Sequence, residues 1–178
     1  MKSQVGALQP GDGGCPGLPI ADSLIVHHVV DGIGVTGMRI SDVLRSKGSA
    51  VATIDPGLTV AGLIAELARH NVGALVVVDA DAVVGIVSER DVVRGLAERG
   101  AGLLDVPVAE IMTAEVYTCE PGDTVDSLAG VMTERRIRHM PVLSGGALVG
   151  IVSIGDVVKS RISQLESDRD QLTSYIQG

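Results

Sequence analysis

The chain has 178 residues, 46% of them apolar, with two tyrosines and neither Phe nor Trp; this length suits one domain or two small ones around an aliphatic core. A net charge of −8 argues against non-specific nucleic-acid binding, which needs a basic surface, and two aromatic rings exclude a base-stacking platform. Mean hydropathy is +0.37, yet no stretch reaches the ~18 apolar residues of a membrane span, and the isolated Cys15 and Cys119 point to a reducing compartment rather than a disulfide framework.

Residues 1–37 read as a flexible extension or an early-called start, without the apolar stretch of a signal peptide. A strand-like run, Leu24–Val30, carries His27 and His28; adjacent strand positions face opposite ways, so the pair makes a poor metal site and reads as solvent-facing. Gly32-Ile-Gly34-Val-Thr-Gly37 matches a dinucleotide-binding glycine pattern, with Asp55 about 20 residues on. Asp55 belongs instead to a duplicated turn whose counterpart lacks the glycine loop, so the segment reads as a linker.

From Ala52 onward the chain repeats itself at an offset of 65 residues. Ala52–Val60 aligns with Tyr117–Val125, and Val83–Val93 with Leu148–Val158; over 52–94 and 117–159, sixteen of forty-three positions are identical. Each copy predicts a short strand (Val51–Ile54; Val116–Cys119) ending at an acidic-Pro-Gly turn. Thr59 or Thr124 then N-caps a helix with Val60, Leu63, Ile64 and Leu67, or Val125, Leu128 and Met132, at helical spacing. Two strands follow around a tight turn, Ala74–Val78 and Val83–Ser88, or His139–Leu143 and Leu148–Ser153, and a closing helix starts near Glu89 or Ile154. Short apolar-acidic segments, Ile40–Leu44 and Val108–Met112, introduce each β-α-β-β-α unit as helices, and Ala97–Pro107 links the units. One unit leaves a sheet face uncovered, so the two pack together. Cys119 replaces Ile54 of the first copy and reads as an apolar strand residue.

Gly-Ile-Val-Ser-x-x-Asp occurs twice, at Gly85–Asp91 and Gly150–Asp156. Helix capping explains either copy alone, with Ser as N-cap and Asp favoured by the helix dipole. The same geometry lets a carboxylate three residues beyond a hydroxyl grip a ribose diol. Neither a nucleophile–base pair nor a Cys/His cluster supports catalysis or a metal.

With Asp-Pro-Gly-x-Thr-Val, Asn71–Asp79, Gly-Ile-Val-Ser-Glu-Arg-Asp91 and Arg135–Val142, the chain resembles the tandem CBS-domain (Bateman module) proteins over residues 38–160, most nearly the stand-alone bacterial two-CBS type. The resemblance implies an α/β fold of two pseudo-twofold repeats, 38–100 and 107–160. It implies a non-enzymatic regulatory module that binds an adenine nucleotide between the repeats and signals by conformation or partner binding, or, as an alternative, a dimerisation scaffold without ligand. AMP or ATP is the expected ligand, with NAD or S-adenosylmethionine as further options and no required cofactor. One cleft would use Ser88 and Asp91 for ribose, with Arg138 and His139 at the phosphate. The other would use Ser153 and Asp156, with the base against Ala52, Val72, Gly73 and Ala74 and with Lys47 reaching for phosphate. Arg138 and His139 have Gly73 and Ala74 as counterparts, so the clefts should be unequal. A homodimer, an unidentified effector protein and a cytoplasmic location complete the expectation, with neither nucleic acid nor membrane as partner.

The last helix should run from Ile154 to Ile176, past the repeat into residues 161–178. Val158, Ile162, Leu165, Leu172 and Ile176 form an a/d stripe interrupted by Arg169, which favours packing against a second subunit.

Overall fold

A computed structural model describes residues 26–28 and 37–177. The 32–37 glycine pattern apart from Gly37, the side chains of His27, His28 and Ile176, Cys15 and the reading of residues 1–25 lie outside the described residues.

The duplicated turns do what their composition requires. In the first, Asp55 Oδ1 accepts a hydrogen bond of 2.7 Å from the Gly57 N–H, which closes the turn and accounts for the acid before Pro-Gly. Thr59 and Thr124 hydroxyls then accept from the Gly62 and Ser127 N–H groups, both at 3.2 Å, and start α2 (Val60–His70) and α4 (Val125–Arg135). Both helices end in the left-handed region, at Asn71 (φ 53°) and Arg136 (φ 55°). The N–H of Val72 bonds the Leu67 carbonyl, and that of Ile137 the Met132 carbonyl, completing the same helix stop twice.

Each repeat then builds an antiparallel hairpin, β3 (Ala74–Asp79) with β4 (Ala82–Ser88), and β6 (His139–Ser144) with β7 (Ala147–Ser153). The parallel strand beside each hairpin is shorter than expected. β2 is Thr53–Ile54, paired with β3, and β5 is Val116–Thr118; Cys119 forms a single parallel bridge to Val142. β1 (Val26–His28) pairs in parallel with β5, so these three residues of the N-terminal segment join the fold. The closing helices are α3 (Glu89–Arg99) and α5 (Ile154–Gln177).

The introducing segments cross over. Helix α1 (Ile40–Lys47), which precedes the first repeat, buries Ile40, Val43 and Leu44 among Leu128, Met140 and Val152 of the second. Val108, which precedes the second repeat, is fully buried with Leu63, Leu75 and Val87 of the first. This second segment is a 3-10 turn, Val108–Glu110, rather than the expected helix. The duplicated glycines make room for the exchange. A Cβ at Gly85 would lie 2.5 Å from Met112 Sδ, and one at Gly150 would lie 2.6 Å from Leu44 Cδ2. Burying each aliphatic side chain contributes roughly 1.5–3 kcal/mol, so each repeat is completed by residues that precede the other in sequence. The linker is ordered as well: a 3-10 segment, Gly100–Asp105, buries Leu103 completely against the first repeat.

Among the described residues, no helix is long and apolar enough to cross a membrane. Helix α5 leaves the body of the protein with Val158, Ile162, Leu165, Leu172 and Tyr175 exposed.

Candidate functional site

The two Ser-x-x-Asp motifs sit where a strand passes into a helix, and each serine is the residue before the first helical turn. In the first, Asp91 Oδ2 accepts from the Ser88 hydroxyl at 2.6 Å and from the Ser88 N–H at 2.8 Å. In the second, Asp156 Oδ2 accepts from the Ser153 hydroxyl at 2.8 Å and N–H at 2.7 Å, and Ser153 Oγ takes the Asp156 N–H at 3.2 Å. Helix capping therefore operates in both copies.

The surroundings of the two carboxylates differ. Ser88 and Asp91 open into a cleft of about 550 Å³, a volume suited to a small molecule. Arg138 and His139, from the second repeat, line the same cleft. Gly73 and Ala74, expected in the other cleft, also line this one, because the residues that open β3 meet the first side chain of β6: a Cβ at Gly73 would lie 3.7 Å from the His139 ring. Arg90 and Arg94 of α3, Glu115, Tyr117, Arg135 and Arg136 complete the polar lining. The guanidinium of Arg135 stands 5.5 Å from the Tyr117 ring centroid, a cation–π contact that links the end of α4 to β5.

Asp156 instead meets Lys47, whose ammonium donates to Oδ2 at 2.6 Å. Lys47 reaches this carboxylate because α1 docks on the second repeat and ends beside β7. Burial by itself would raise the Asp156 carboxyl. The Lys47 hydrogen bond and those from Ser153 outweigh that and hold it below the ordinary value of 3.8. Ala52 packs against the first repeat's core. Val72 turns away from the Ser153–Asp156 pair and lines a groove between α2 and α3 with Ile64 and Val93, because its position two residues past α2 folds an apolar side chain back on the helix end. The structure thus brings Lys47, Ser153 and Asp156 together and directs Val72 elsewhere.

His139 lies between the two carboxylate sites. Burial pushes its imidazole below the ordinary 6.5, Lys47 and Arg138 push the same way, and Asp156 and Glu89 oppose them. Cys119 is fully buried; burial first, and the charge of Asp123 second, push its thiol up to about 12, so it serves as core. Among the described residues no group of His, Cys, Asp and Glu could hold a metal ion.

Sequence reasoning missed Arg90 and Arg94. The signal lay in the duplication, since their counterparts at the same offset are Gly155 and Lys159.

This pairing of repeats has known relatives. Residues 40–98 and 108–163 match the CBS domain family. The chain is 37% identical over 156 residues to the mitochondrial CBS domain-containing protein CBSX3 of Arabidopsis thaliana, covering 82% of this chain and 75% of that protein. A crystal structure of a CBS-domain protein from Agrobacterium tumefaciens is 42% identical, with a TM-score of 0.68 over 70% of this chain and 99% of that one. A CBS domain protein of Pyrobaculum aerophilum, solved in complex with AMP, is 32% identical, with a TM-score of 0.64 over 72% of this chain and 97% of that one. The chain belongs to the CBS-domain family and carries the domain twice, as a Bateman module.

Proposed function

We propose that the protein is a non-catalytic regulatory module that binds an adenine nucleotide in the Ser88–Asp91 cleft and transmits occupancy to a partner protein. The observation that carries this reading is the meeting of three elements in one cleft: a serine–aspartate couple at a helix start, Arg138 with His139 on the facing strand, and the small residues Gly73 and Ala74 between them. The carboxylate accepts ribose hydroxyls, and the guanidinium clasps phosphate through its fork of donors. The AMP complex of the Pyrobaculum relative supports the ligand class. Filling a cleft walled by both repeats favours one arrangement of the repeats over another, and a partner reads that population shift.

A homodimer belongs to the same reading. The exposed apolar stripe of α5 is too costly to leave in water along its whole length, and a second copy supplies a matching stripe. That stripe also favours the alternative of a dimerisation scaffold that binds nothing. Ligand-dependent melting separates the two. At 100 times its dissociation constant a nucleotide stabilises the fold by roughly 2.7 kcal/mol, whereas a scaffold shows no shift with AMP, ATP, NAD or S-adenosylmethionine. Mass spectrometry of the protein purified from cells should find a retained adenosine compound.

A further inference from the structure

We infer that the Ser88–Asp91 cleft is built for a nucleoside polyphosphate and discriminates against the monophosphate, with Arg90 and Arg94 of α3 facing Arg135, Arg136 and Arg138 as two banks for the distal phosphates. The inference rests on the nucleotide reading of that cleft and adds the charge of the ligand.

Five of the chain's 14 basic side chains line this one cleft of a protein whose net charge is −8. Its acidic lining is Glu89, Asp91 and Glu115, so the guanidinium groups are in excess. Four of the five also stand without a carboxylate partner among the described residues. Arg45, Arg69, Arg99, Arg161 and Arg169, outside the cleft, each pair with a carboxylate. Among the described residues, Arg90, Arg94, Arg136 and Arg138 have no carboxylate within ion-pair distance, and Arg135 reaches Glu134 at 4.0 Å. Gathering unpaired like charges costs stability unless an anion arrives to neutralise them.

The fold does not require them. At the same offset the other repeat carries Gly155, Lys159, His70, Asn71 and Gly73, and builds the same helix, strand and turn. Arg136 makes the point most sharply. It occupies a left-handed position, φ 55°, which suits the counterpart Asn71 at φ 53° and strains an ordinary side chain. An arginine held there at a cost, on the rim of a cleft, is placed for a ligand.

The count sets the ligand's charge. A terminal phosphate brings about −1.5 to −2 charge, which Arg138 and one neighbour neutralise. Arg90 falls between Ser88 and Asp91 in sequence, and Arg94 stands one helical turn further along the same face of α3. They then have partners only if the phosphate chain extends past its first member.

The test is calorimetric titration of the full chain with adenosine, AMP, ADP, ATP and inorganic tripolyphosphate in magnesium-free buffer. Affinity should rise along the nucleotide series, with ATP at least tenfold tighter than AMP. In Arg90→Gln/Arg94→Gln the ATP-to-AMP ratio should fall toward one, with Arg94→Gln alone intermediate and unliganded melting temperatures close to that of the parent. Equal affinity for AMP and ATP in the parent overturns the inference and leaves the proposed function standing. Tripolyphosphate binding as tightly as ATP overturns the nucleoside half of it. Failure of every adenosine compound to bind removes both readings together.

Discussion

Lys47 and Asp156 are 109 residues apart and meet at 2.6 Å. The contact closes a carboxylate whose counterpart, Asp91, meets no cation among the described residues, so two copies of one motif stand in opposite states. The inequality follows from the two crossing segments: Lys47 stands three residues past Leu44, which packs on Gly150, whereas Glu115 stands three residues past Met112, which packs on Gly85, so the first cleft receives a carboxylate where the second receives an ammonium.

Lys47→Ala should therefore open a second site. Titration with AMP should move from one equivalent per chain toward two. The variant also bears on acid stability. The Asp156 carboxyl lies below its ordinary 3.8 in the fold, so its contribution is present above that value and is lost as pH falls through the lowered one. Without Lys47 that acid-labile contribution should shrink, which melting curves from pH 5 to pH 2.5 read directly.

Asp91→Ala separates ribose recognition from capping. Loss of a charge-assisted bond worth roughly 1.5–3 kcal/mol should weaken nucleotide binding by about one to two orders of magnitude. Loss of the cap alone costs ~1 kcal/mol of stability and leaves affinity intact. Calorimetry and melting on the same variant distinguish the outcomes.

His139 should make the fold sensitive to mild acid. Its imidazole is held below 6.5, so the folded state binds fewer protons than the unfolded chain. Stability is full above 6.5 and declines as pH falls from there through the lowered value. His139→Asn should flatten this part of the profile. A bound phosphate draws the imidazole the other way, so nucleotide affinity should rise as pH drops from 7.5 to 6, and that rise should vanish in the same variant.

Deleting residues 163–178 removes Leu165, Leu172 and Tyr175, which are exposed on α5, together with Ile176. Light scattering should show the full chain as a dimer at micromolar concentration and the truncated one shifted toward monomer. A full-length protein that scatters as a monomer would overturn the assembly claim.

The sequence by itself determined the α/β repeats, their turns and their caps. Those features are local: Asp55 and its turn, Thr59 and the Gly62 N–H, and Ser88 and Asp91 all act within three residues of one another. The 65-residue register then made each local signal appear twice. What only the tertiary structure decided is which side chains face each other across the chain. Ile40 and Val108 each leave their own repeat for the core of the other, because burying an apolar side chain rewards any surface of the right shape, whatever its distance in sequence. That exchange sends Lys47 to Asp156. Packing between the repeats sets Gly73 and Ala74 in one cleft with His139, and the helix stop places Val72 in the groove between α2 and α3. The arginines of the cleft were visible as residues but not as a cluster, since Arg90 and Arg138 come from opposite repeats and are joined by packing alone.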